Sequence, residues 1–217
     1  AWFAGKVNSG DSQINCMLTA DIDFSAYPSV TIGSTSHSFD GIFDGQGHRI
    51  TLGIVRDNEE YAVLFRKIGA PGVVKNLTTD GTITTNRKHA AGICGQLYGR
   101  MINCATFATI DSSISGDGTY GGLTVRTYDG CSIETCLSAI KIKAPNAIKC
   151  GGLVGWLNGS TTFQNCLCIA EMELSDVSTS DAICRNSGNI SADSGNNYFL
   201  NLYGAVNAAY FTQTTQE

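Results

Sequence analysis

The feature that most constrains this chain is a glycine that returns on a fixed period. Gly92, Gly122 and Gly152 are evenly spaced and each precedes an aliphatic residue, in Ala91-Gly92-Ile93-Cys94-Gly95, Gly121-Gly122-Leu123-Thr124-Val125 and Gly151-Gly152-Leu153-Val154-Gly155. A degenerate copy, Tyr61-Ala62-Val63-Leu64-Phe65, precedes them on the same spacing, and Asp181-Ala182-Ile183-Cys184-Arg185 follows. A period of roughly 30 residues marks a stack of similar units, none of which buries its apolar residues alone.

Each copy leads into a second phrase. Val74-Lys75-Asn76-Leu77, Met101-Ile102-Asn103-Cys104, Ile133-Glu134-Thr135-Cys136 and Phe163-Gln164-Asn165-Cys166 all carry an apolar residue followed three positions later by Leu or Cys. Strand-like alternation continues from there. Cys166, Cys168, Ala170 and Met172 share one face, matched in the preceding copy by Cys136, Ser138, Ile140 and Ile142. Stacking predicts an inward ladder of Leu77, Cys104, Cys136 and Cys166, with equivalent residues about 4.8 Å apart. It also sets Lys141 and Lys143 against Glu171 and Glu173 on the next rung. Such surface pairs help fix register, though each is worth only about 0–1 kcal/mol.

Composition agrees with many short turns. The 217 residues include 25 Gly, and only 15% are charged. No long stretch repeats its apolar residues at helical spacing. The expected fold is all-β: a β-solenoid of about seven coils with an N-terminal cap. One domain spans 1–217. Residues 1–60 form the cap and first coils, with Ala1–Leu18 covering the open rung. Residues 61–185 hold the ~30-residue repeats, and 186–217 an irregular last coil and tail. Tyr198-Phe199-Leu200 with Asn201-Leu202-Tyr203, and Ala208-Ala209-Tyr210-Phe211, read as closing strands. Thr212 onward reads as a linker to a neighbouring domain, so the chain is expected to be a piece of something longer.

A net charge of −5 disfavours nucleic acid and anionic membrane surfaces as partners. No apolar run approaches the ~18 residues of a membrane span. The nine cysteines are odd in number and contain no CxxC, so they read as buried free thiols acting as small apolar groups. That points to a reducing or anaerobic habitat. No metal or cofactor is expected.

At these residues the chain resembles the GLUG-type repeat proteins of bacterial surfaces. Their pattern opens with an aspartate-rich strand, here Leu18-Thr19-Ala20-Asp21-Ile22-Asp23-Phe24, and an Ile-Gly pair, here Ile32-Gly33. The phrase from Phe39 to Ile50 follows, then repeats of the form G-G-L-V-G, closest at Gly151 to Gly155, and an Asn-Cys phrase at Asn103-Cys104 and Asn165-Cys166. The likeness covers roughly residues 13 to 170, with Thr124-Val125 and Phe65-Arg66 departing from the pattern. It implies a right-handed parallel β-helix in a secreted or cell-surface bacterial protein. Similar repeats accompany adhesin-like chains and the non-catalytic regions of immunoglobulin A proteases. It supplies no catalytic residues.

Candidate chemistry is sparse. Asp40 and Asp44 would lie roughly 13 Å apart on a straight strand, beyond the usual carboxylate pair, and both precede Gly as turn residues do. His48 has no nucleophile motif beside it, and Gly116-Asp117-Gly118 is a weak calcium loop. The stronger constellation comes from the period. Gln96, Arg126 and Trp156, with Arg66 upstream, fall one period apart and point outward if Val63, Ile93, Leu123 and Leu153 point in. Tyr98, Tyr128 and Asn158 lie two further along. Lys67 would then point inward, so the register slips in the first copy. Aromatic faces beside Arg and amide donors suit sugars. The expected ligand-binding residues are therefore Trp156, Asn158, Arg126, Tyr128, Gln96 and Tyr98, with a glycan or host surface ligand as partner. The expected function is a non-catalytic adhesion, ligand-binding or spacer module. The alternative is a β-helix polysaccharide lyase or hydrolase.

Overall fold

The computed structural model of the chain describes residues 1–28, 30–202 and 210–215. It is a parallel β-solenoid built on three main sheets, with Gly116–Asp117 and Ala147–Ile148 forming a two-stranded fourth. The first sheet stacks six strands: Cys16–Met17, Ile42–Asp44, Val73–Lys75, Arg100–Ile102, Cys131–Glu134 and Thr161–Gln164. The second follows one corner later and includes Arg49–Arg56, Thr78–Thr85, Ala105–Thr106, Leu137–Ser138 and Leu167–Cys168. The third, shorter sheet stacks Phe65–Ile68, Cys94–Leu97, Thr124–Thr127 and Val154–Leu157. Every pairing between these strands is parallel.

The coils make about six turns, close to the expected seven. A short helix, Trp2–Asn8, occupies the N-terminal end, where sequence periodicity gives no helical signal. Its Phe3 ring packs on Phe39 at 5.8 Å and Phe43 at 5.7 Å, and both of these reach Phe65. The helix thus plugs the first coil with aromatic rings.

The repeat glycine has a steric cause. A methyl group on Gly122 would lie 1.9 Å from Ser138 Oγ and 2.3 Å from the Gly152 carbonyl oxygen, and one on Gly92 would lie 2.1 Å from Thr106 Oγ1. Thr106, Ser138 and Cys168 form a column across the coil, in register with one another. Ser138 Oγ donates to the Gly152 carbonyl at 2.6 Å. The third sheet therefore approaches the second so closely that a side chain has no room at the mark.

The expected inward ladder is present: Leu77, Cys104, Cys136 and Cys166 are all buried. Lys141 pairs with Glu171 and Lys143 with Glu173 in register, and the first pair closes an ion pair of 3.5 Å. Eight of the nine thiols are buried and Cys16 half-buried, with none in a disulfide. Burial drives the Cys94, Cys150 and Cys168 thiols up to about 12, so they stay neutral and pack as apolar groups.

The Asn of the second phrase sits at a corner. Asn76, Asn103, Thr135 and Asn165 have φ between 50° and 55°, the left-handed region that Asn tolerates better than most residues. Asn103 Nδ2 donates to Asn76 Oδ1 at 2.8 Å, and Asn76 Nδ2 to Asp44 Oδ1 at 2.9 Å. Asp44 is thus a corner residue. Burial opposes its charge, but hydrogen bonds from Asn76, the Gln46 amide and Lys75 outweigh that and hold its carboxyl at about 2.

Three other expectations change. Phe65 pairs with Cys94 and Lys67 with Gln96, so the offset of the first copy falls one position short of the period. Leu64, not Val63, belongs to the main core with Ile93; Val63 joins an outer cluster with Tyr61, Ala91 and Val125. At the far end Phe211–Thr214 is a strand paired with Asn197–Leu200, so Thr212 adds to the sheet instead of starting a linker. Phe211 is anchored against the Phe163 ring. Tyr203, Ala208 and Ala209 lie outside the described residues.

Candidate ligand site on the outer face of the third sheet

Parallel stacking brings the expected outer residues into columns. Gln96, Arg126 and Trp156 are direct register partners on successive rungs. Lys67 occupies the equivalent position on the rung before, which corrects both its expected inward direction and the place of Arg66. Two residues along, the Tyr98 and Tyr128 rings stack at 3.9 Å and 8°, and Asn158 is exposed on the next rung. All six expected residues share this face.

The rings are less open than a simple sugar platform requires. Lys67 Nζ lies 4.7 Å from the Tyr98 centroid, while Tyr128 stacks against that same ring. Arg185 lies 4.7 Å over Trp156. Such cation–π contacts contribute about 0.5–2 kcal/mol each and hold the rings in fixed orientations. Gln96 Nε2 donates to the hydroxyls of Tyr128 at 3.1 Å and Tyr61 at 3.3 Å. Burial and the neighbouring Tyr128 push the Tyr98 hydroxyl up to about 12.

A second column lines the other side. His89, Thr119 and Lys149 recur on the same period at the corner before the third sheet, each with positive φ. Tyr61 stacks on His89 at 4.7 Å, and Arg66 lies 4.7 Å over Tyr61 while ion-pairing with Glu60. His89 Nε2 lies 2.9 Å from Arg126 Nη2. Nε2 must accept this hydrogen bond, which requires the neutral ring. Burial, then the charges of Arg126 and Lys88, hold its pKa down to about 3.

Between the columns lies a hollow of about 330 Å³ lined by Lys88, Asp117, Thr119, Arg126, Lys149, Trp156, Asn158 and Arg185. Asp117 Oδ2 meets Lys88 Nζ at 2.8 Å and Lys149 Nζ at 3.9 Å, and Asp117 Oδ1 accepts from Thr119 Oγ1 at 2.6 Å. Burial works against its charge, but the bonds from Lys88 and Thr119 prevail and its pKa is lowered. Arg185 donates to the Lys149 carbonyl at 2.7 Å. Sequence reasoning located Arg126, Trp156 and Asn158, read Asp117 as part of a weak calcium loop where it meets Lys88 and Lys149, and missed Lys88, Thr119, Lys149 and Arg185. The same arithmetic, applied to the residues just before each glycine mark, reaches the His89–Thr119–Lys149 column. Nothing in the chain's local pattern shows that Arg185 folds back over Trp156.

No protein-family model matches the chain. Halomucin from Haloquadratum walsbyi is 30% identical over 135 residues, which is 56% of this chain but 1% of halomucin. Among solved structures, a protein from Bacteroides ovatus named "putative immunoglobulin A1 protease" superposes with a TM-score of 0.56 at 17% identity, covering 93% of this chain and 71% of that one. At that identity the likeness concerns the fold. The chain thus belongs, by fold, among the β-solenoids, and it spans a very small part of its curated relative. Among the described residues no helix is long and apolar enough to cross a membrane.

Proposed function

We propose that the chain is a non-catalytic module of a cell-surface or secreted protein that binds glycans along the outer face of the third sheet. The observation that carries this reading is the in-register column of Gln96, Arg126 and Trp156 beside the stacked Tyr98 and Tyr128. Rings held in place among amide and guanidinium donors offer both apolar contact and hydrogen bonds to a hydroxylated ligand. The GLUG-type resemblance, the partial likeness to halomucin and the solenoid shared with a protein named as a protease support a surface setting. Buried free thiols fit a reducing environment.

The test is a broad glycan panel, read with the parent and a Trp156→Ala variant. Binding that the variant loses supports the reading, and silence from both leaves a spacer. A second reading, a carbohydrate-active or protease-like enzyme, draws on a larger hollow of about 470 Å³ where Glu59 and Glu60 face Arg56 and Arg66. Shortened glycan or cleaved protein after incubation, abolished by Glu59→Gln with Glu60→Gln, would establish it.

A further inference from the structure

We propose that the hollow beside Trp156 is an anion site, which makes the module select sugars carrying a carboxylate or sulfate over their neutral counterparts. This deepens the glycan reading and rests on it. At several other places on the surface, one cation meets one carboxylate. Lys6 meets Asp11, Arg49 meets Asp80, Lys75 meets Asp44, Arg100 meets Glu134 and Lys141 meets Glu171. In the hollow, four cations share one carboxylate. Lys88 and Lys149 both turn to Asp117. Neither Arg126 nor Arg185 meets a carboxylate within ion-pair reach among the described residues. A chain with net charge −5 therefore concentrates a local excess of three positive charges in one concavity.

The excess is held in place. Arg185 is fixed by the Lys149 carbonyl and the Trp156 ring, and Arg126 by its bond to His89. Arg126 Nε is buried without a hydrogen-bond partner, so part of the donor capacity of this guanidinium is unspent. A neutral His89 adds no charge, so the attraction comes from the two Lys and two Arg side chains. Preformed donors of this kind bind a planar carboxylate or a sulfate with little reorganisation. The single Asp117 and the exposed Asn158 then serve hydroxyls of the same ligand. A hollow of about 330 Å³ lies at the small end of ligand pockets and suits one or two sugar rings. The overall negative charge meanwhile disfavours long polyanions such as nucleic acid.

The experiment measures affinity for matched pairs, glucuronate-containing against glucose-containing oligosaccharides and sulfated against unsulfated galactans, at two salt concentrations. Inorganic sulfate is run alongside. The parent is compared with Lys88→Gln and Lys149→Gln, both at partly exposed side chains, and with Trp156→Ala, each checked for folding by circular dichroism. The expected result is tenfold or greater preference for the acidic member, weakened by salt, and largely lost in either Lys variant while neutral-sugar binding persists. Equal binding of the two members, or acidic binding untouched by both Lys variants, would overturn the anion site and leave the glycan reading standing. Sulfate ion bound as tightly as the sulfated sugar would overturn sugar selection. No binding of any glycan would overturn both.

Discussion

At the corner between the first and second sheets, the left-handed positions include Asn76, Asn103, Thr135 and Asn165; at the corner before the third sheet they include His89, Thr119 and Lys149. Both corners demand the same backbone conformation on the same period. The first meets the demand with the residue type best suited to it, and its side chains bond along the stack. The second uses residues that adopt positive φ at a cost of about 1–2 kcal/mol; Thr119 and Lys149 line the hollow, and His89 bonds the Arg126 that lines it. The first corner is built for the fold. The second accepts local strain and places an imidazole, a hydroxyl and an ammonium group around Arg126 and Trp156. Strain kept where chemistry is displayed is a recurrent mark of a binding surface.

The comparison can be broken most forcefully at His89. Its folded pKa of about 3 lies below the unfolded value of 6.5, so the unfolded chain takes up a proton first as pH falls. Stability contributed by the neutral ring is full above pH 6.5 and declines through the interval down to about 3, with a slope approaching 1.4 kcal/mol per pH unit. Urea unfolding between pH 7 and 5 should show this decline in the parent and a much flatter profile in His89→Gln. A parallel decline in both would remove His89 from its assigned place.

A smaller effect tests the other corner. Asn103→Ala removes the bond to Asn76 and puts a poorer left-handed residue in its place, for an expected loss of about 1–2 kcal/mol by chemical denaturation. Thr135 interrupts the Asn column with a β-branched side chain at φ 54°. Thr135→Asn should therefore stabilise, by about 1 kcal/mol, and raise the melting temperature without touching ligand binding.

The smallest change in stability sharpens the contrast between the corners. Lys149→Asn relieves the same kind of strain and should gain roughly 0.5–1 kcal/mol while weakening binding of an acidic sugar. A gain at Thr135 with no functional loss, beside a gain at Lys149 with one, is the pattern expected of a structural and a displayed corner. Loss of binding in neither would equate the two.

The interior ladder of Leu77, Cys104, Cys136 and Cys166 and the Lys141–Glu171 pairing were legible because parallel stacking turns a sequence period directly into contact. The Gln96–Arg126–Trp156 column was legible for the same reason. The first copy was not, since the step from Phe65 to Cys94 falls one position short of the period, shifts every outward position and exchanges Lys67 for Arg66. The terminal helix was equally hidden: so short a segment carries too little periodicity to announce itself, and docking of Phe3 on Phe39 and Phe43 holds the helix in place.

What the sequence determined by itself is the repeat: parallel β-coils, a glycine where two sheets nearly touch, and columns of like residues. All three follow from a period that acts through nearest-neighbour rungs. The tertiary structure alone decided which outer columns face each other across the hollow. It also decided that Arg185 covers Trp156, and that Lys88 and Lys149 share Asp117. Those contacts join residues from different corners and rungs, so they depend on the path of the coil and on side-chain direction, neither of which a linear period records.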